Sequence, residues 1–155
     1  MKLEFALLAS DAETGRNTDN VHNFGGGFNT LKVSKTPIEV PPFAIVMRFS
    51  FQPDEAGKPH QIELSVSKPD GSHQQLLAKD SVVPVANANP GRTSWHTLII
   101  SLGITFEKTG EYSFHIHGDG KELKRLPLFL VEVPEPQLSG VANADLSEHS
   151  HDSIP

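Results

Sequence analysis

The stretch 110-GEYSFHIHGDGKELKRLPLFLVEV-133 decides how the chain is read. Tyr112, Phe114 and Ile116 alternate with Ser113, His115 and His117, a period of two that sends the apolar set to one face of a sheet. Gly118-Asp119-Gly120 follows, the residue types that reach the positive φ of a tight hairpin turn. The return run, Leu126 to Val133, is apolar at almost every position and predicts a strand covered on both sides or closing a sheet. Pro127 lacks an N–H, which places that position near an edge or a bulge.

Working outward, the same pattern recurs. Phe43, Ile45, Met47, Phe49 and Phe51 share one face of a strand, with Ala44, Val46, Arg48 and Ser50 opposite. Ile62, Leu64 and Val66 repeat the alternation, Lys68-Pro69-Asp70-Gly71 makes a turn, and strands follow over 75–83 and 95–106. Residues 3–9 form a first strand and 10–20 a loop. The run 21–33 reads as a strand interrupted by Gly25, Gly26 and Gly27, where a bulge or a close backbone approach is expected. No Lys-Ser/Thr and no helix follow these glycines, so a phosphate-binding loop lacks its parts. About eight strands with turns between them predict an all-β fold, a two-layer antiparallel β-sandwich of immunoglobulin-like or jelly-roll outline, with a closed barrel as the alternative.

At 155 residues the chain fits one domain, read as 1–133, followed over 134–155 by a flexible acidic tail without Lys, Arg or aromatic residues. Net charge is −6, and the tail carries Glu135, Asp145, Glu148 and Asp152 of it, leaving a nearly neutral body with no basic footprint for nucleic acid. There is no cysteine, which fits a cytoplasmic setting and rules out disulfides and thiolate metal sites. No run approaches the roughly 20 apolar residues that span a bilayer, so no membrane partner is expected.

Candidate chemistry is sparse. His115 and His117 form an H-x-H pair whose imidazoles share a strand face, a pattern found in metal sites, with His96, His60 and His73 as further ligands that nothing in the sequence places nearby. No serine sits in a G-x-S-x-G setting, and no cofactor and no catalysis are expected. If successive strands run antiparallel, loops 10–20, 52–59, 86–94 and 118–120 gather at one end of the sandwich. They bring Asp11, Glu13, Asp19, Asp54, Glu55 and Asp119 together against Arg16, Lys58 and Arg92. Such an end suits Ca²⁺ or a polar ligand. Trp95, at a strand start beside an N-A-N-P-G loop, is the candidate platform for a carbohydrate.

The loop SDAETG (10–15), the run NFGGGFN (23–29), the strand FAIVMRFSF (43–51) and the hairpin GEYSFHIHGDG…LPLFLV together resemble an uncharacterised family of small bacterial all-β proteins, some of them phage-associated. The resemblance implies a fold and a bacterial setting, and brings no activity, cofactor or site residue with it. The expectation is a non-catalytic protein-interaction or structural module with a protein partner. Self-association through an unprotected edge strand is open. The alternative is a small-ligand module, for Ca²⁺ or carbohydrate, using the acidic loops.

Overall fold

The structure, a computed structural model, describes residues 1–14, 21–71 and 74–134, with the backbone alone for 21–24. Loop residues 15–20, among them Asp19 and Arg16, as well as His73 and the acidic tail beyond residue 134, lie outside the described residues. Among the described residues twelve strands follow one another: β1 (Lys2–Ala9), β2 (Asp11–Thr14), β3 (Val21–Phe24), β4 (Thr30–Val33), β5 (Ile38–Glu39), β6 (Phe43–Phe51), β7 (His60–Ser67), β8 (Gln75–Val82), β9 (Ser94–Leu102), β10 (Thr105–Phe106), β11 (Gly110–Gly118) and β12 (Lys121–Glu132). The expected eight are present. The extra segments arise because 21–33 splits at its glycines into β3 and β4, because part of the expected first loop pairs with β3, and because β5 and β10 form a short ribbon.

Two sheets face each other, one ordered β1-β6-β9 and the other β4-β12-β11-β7-β8. Each element forms where alternation supplies a core face. Phe43, Ile45, Met47, Phe49 and Phe51 of β6 point inward and are at most 5% exposed. They meet Ile62, Leu64 and Val66 of β7, Phe114 and Ile116 of β11, and Leu126, Leu128 and Leu130 of β12. Phe43 and Phe114 touch edge to face across the two layers at 6.0 Å. Burying each such ring contributes about 1.5–3 kcal/mol.

Three features depart from the sequence reading. The sandwich is not wholly antiparallel, because β12 pairs with β4 in parallel, Phe129 opposite Thr30 through Glu132 opposite Val33. The long connection from β4 to β12 through the rest of the domain allows that direction, whereas a tight hairpin does not. The strand β12 is also covered on one side only: Leu126, Leu128 and Leu130 are buried, while Phe129 and Val131 are 39% and 38% exposed on the outer face. Finally, β-bulges interrupt three pairings, between Leu3 and Phe5, between Leu64 and Ser65, and between Ile116 and His117. Elsewhere the local expectations hold. The hairpin turn has positive φ at Asp119 (50°) and Gly120 (82°). The glycine run is a close approach, since a Cβ at Gly25 would sit 2.6 Å from Ser10 Oγ.

Candidate functional site

The expected acidic end assembles only in part: loops 52–59, 86–94 and 118–120 share one end, without Asp11 and Glu13. β1 runs antiparallel to β6, so Lys2 stands opposite Ser50 and Ala9 opposite Ala44. Asp11 and Glu13, on β2, therefore lie at the Ala9 end, while Asp119 and Glu55 lie at the other. Asp11 and Glu13 fall away from the others because β2 and β3 form an extra ribbon, which shifts the count of reversals. Asp11 is exposed and its carboxylate accepts from the Ala12 amide at 2.8 Å.

Asp119 is engaged with its own neighbours. One carboxylate oxygen meets His60 Nδ1 at 2.7 Å and the other accepts from the Gln61 amide at 2.9 Å. The His60 contact, then the Gln61 amide, hold the Asp119 carboxyl below its usual range. Glu55, in a short 3₁₀ turn at Pro53–Glu55, contacts the Met1 amine, and its carboxyl is held down by that amine and then by the Gln52 amide. His60 Nε2 stands 3.7 Å from Glu55 and is buried without a hydrogen bond. Among the described residues, no three His, Asp or Glu side chains are arranged to hold a metal ion.

His115 and His117 do share a face, with rings 6.4 Å apart. Both nitrogens of His115 are nonetheless taken, Nδ1 by Glu122 at 2.6 Å and Nε2 by the Ser67 hydroxyl at 2.9 Å. Glu122 in turn accepts two bonds from Arg125, at 2.7 and 3.1 Å. The Arg125 guanidinium first, and His115 second, pull the Glu122 carboxyl down to about 2. An ionised Glu122 accepts from Nδ1–H, and Nε2 faces the Ser67 hydroxyl, an order of groups that nucleophilic catalysis uses. His115, however, is only 3% exposed. The chain of bonds satisfies a buried imidazole and ties β7, β11 and β12 together. Alternation alone hides it, because residues 122 and 125 would then face opposite ways. The bulge beside His117 inserts Leu123, reverses the parity and brings Glu122 and Arg125 to one face.

Two of the hollows that the described residues form bear on the candidate residues. One, of about 500 Å³, has an apolar floor of Val66, Leu77, Ile104 and Tyr112. Its rim charges balance, Lys68 and Lys108 against Asp70 and Glu107, and the Tyr112 hydroxyl donates to the Lys108 carbonyl at 2.7 Å. Burial pushes the Tyr112 phenol up from its ordinary value. The other, of about 510 Å³, is lined by Asn87, Asn89, Arg92, Thr93 and Trp95. Trp95 is 47% exposed, and the Arg48 guanidinium lies over its ring at 5.1 Å. The Asn87 side chain is spent within the loop, donating to the Thr93 carbonyl and accepting from the Asn89 amide.

Trp95 belongs to a larger surface. On the outer face of β1-β6-β9, register places Phe5, Arg48 and Thr97 in one row and Leu7, Val46 and Ile99 in the next. Val46 is fully buried here although it points away from the sandwich core, and β2 packs across β6 and β9 nearby. Phe5 remains 36% exposed. Beside this face runs the outer edge of β9. Its sequence, SWHTLIISL, has no Lys, Arg, Asp or Glu, no proline and no glycine, and it pairs with β6 over nine consecutive residues without a bulge. The other edges are blunted. β1 carries Lys2, Glu4 and a bulge, β8 carries Lys79, Asp80 and a bulge, and β4 has four residues. Leu98 and Ile100 of β9 stand opposite Met47 and Ile45, which are fully buried, yet are themselves only half-buried. No helix among the described residues is long and apolar enough to cross a membrane.

The sequence matches, over residues 4–131, a family described as a family of unknown function, DUF6941, and the chain belongs to that family. No curated protein matches it.

Proposed function

We propose that this member of the DUF6941 family is a non-catalytic protein-interaction module that takes an extended segment of a protein partner onto the β9 edge. The observation that carries the reading is the contrast among edges: of the described sheet edges, β9 alone is long, free of bulges and without Lys, Arg, Asp or Glu. Natural sheets protect such edges, because a row of unpaired amides and carbonyls templates another strand. An added strand also covers the half-buried Leu98 and Ile100, and Trp95 with Arg48 supplies the residue types that dominate interface energetics. The proposal includes a bacterial, phage-associated and cytoplasmic setting, from the resemblance and the cysteine-free composition.

A Thr97→Lys chain tests it. The lysine stands mid-strand on the outer side of β9, a device that natural edges use against pairing. Affinity capture from cells of the source organism is expected to hold a partner protein on the wild-type chain and lose it roughly tenfold or more with Thr97→Lys, while Ser81→Lys on β8 retains it. A partner held equally by both lysine variants would sink the reading. A saccharide on Trp95 is the second reading, favoured by the exposed ring beside Asn89, Arg92 and Thr93.

A further inference from the structure

We infer that the segment completing β9 is β9 of a second copy of this chain, laid antiparallel about Leu98. The inference rests on the docking reading above and names its partner. Directly opposed residues in an antiparallel pair point to the same face, so a strand meeting its own copy must be centred on a residue. Among such centres, only Leu98 pairs β9 over its full length, Ser94 to Leu102.

In that register Trp95 meets the partner's Ser101, and Thr97 meets the partner's Ile99, on the outer face. His96 meets the partner's Ile100, and Leu98 its own counterpart, on the inner face. No like charges oppose one another, because β9 carries no Lys, Arg, Asp or Glu. A foreign strand bearing Lys, Arg, Asp or Glu would lay them against Ile99 or Leu98; the chain's own β9 carries none of the four and matches the edge over its full length. The product is a continuous six-stranded sheet, β1-β6-β9 joined to its copy, with the two Trp95 side chains near opposite ends of the shared ladder. Both open edges vanish at once, and the dyad closes the assembly at two copies.

The chain's lack of cysteine makes the test specific, since introduced thiols are the only ones present. Thr97→Cys and Ile99→Cys chains are purified separately, then mixed under mild oxidation. Opposed residues bring Cβ atoms to roughly 4.5–5.5 Å, within reach of a disulfide after slight adjustment. Covalent dimer is expected to form in the mixture roughly tenfold faster than in either chain alone, because 97 opposes 99 and not itself. Equal rates in all three samples, or no cross-link, would overturn the register and the self-pairing. Amide exchange on the wild-type chain provides a readout without substitution: protection along the outer edge of β9 should rise with protein concentration. Protection that ignores concentration would assign the edge to the chain's own residues and overturn the inference. If cross-linking fails while Thr97→Lys still releases a foreign protein, the docking edge stands and only the second copy is wrong. Failure of both removes the edge as a docking site.

Discussion

The two outer faces of the sandwich solve the same problem in opposite ways. On the five-stranded sheet, polar side chains satisfy one another: Ser67, His115, Glu122 and Arg125 form a continuous set of hydrogen bonds across β7, β11 and β12. On the three-stranded sheet, the middle strand buries Val46 and Ala44 on the side away from the core, while Phe5 and Trp95 remain open to water. One face has spent its recognition groups internally; the other holds apolar area in reserve beside an unblunted edge. The proposed function therefore rests on the smaller sheet, although the larger one carries the residues that look like chemistry.

The sharpest test of that contrast is a charge placed on each face. Val46→Asp puts a carboxylate where the wild-type side chain is fully buried between Leu7 and Ile99. An unpaired buried charge costs about 3–5 kcal/mol, a large part of the stability of a domain this size. Ser113→Asp, half-buried on the other outer face, should cost less than about 1 kcal/mol. Urea unfolding of the two variants measures the difference, and equal midpoints would show that the smaller sheet's outer face is ordinary solvated surface.

The next effect is confined to acid. Glu122 titrates near 2 in the folded protein against an ordinary 4.5, because Arg125 and His115 favour its ionised form. A carboxyl whose folded value is depressed stabilises the fold above the ordinary value and loses that contribution as pH falls toward the folded one. Asp119 and Glu55 shift in the same direction, through His60 and the Met1 amine respectively. Glu122→Gln should therefore flatten the fall of melting temperature between about pH 4.5 and 2, leaving the Asp119 and Glu55 share of the slope. Melting curves across that window check it. An unchanged slope would mean that Glu122 is equally ionised in the unfolded chain and that the polar face is held by packing.

Much of this was legible from residue types. The inward sets of β6, β7, β11 and β12 follow from period-two alternation, and Asp119-Gly120 announces its turn. The parallel β4–β12 pair was not legible, since a parallel neighbour leaves no turn between its strands to mark it. The Asp119–His60 contact joins residues 59 positions apart, and only the assembled sheet brings them together. The Glu122–His115 bond needed the bulge at His117, which alternation cannot show. The candidate edge was half legible: the uncharged SWHTLIISL run is visible in the sequence, but its position at the border of a sheet is a property of strand order.

The smallest expected effect belongs to Trp95, and it discriminates between the uses of the smaller face. Trp95→Ala removes a ring that is 47% exposed and its contact with the Arg48 guanidinium, worth about 0.5–1 kcal/mol at an exposed site. Stability should fall by no more than that, because the ring fills no cavity in the core. Dimer formation through β9 should weaken only modestly as well, since Trp95 sits near the end of the ladder, opposite a small serine. A saccharide reading makes a different demand. Trp95 is the chain's one tryptophan, so its fluorescence reports on that ring alone. A saccharide stacked there would quench or shift the emission on titration, and Trp95→Ala would abolish binding outright. Emission that is indifferent to a panel of neutral and acidic sugars, yet changes as the chain is diluted, would assign the ring to the protein interface.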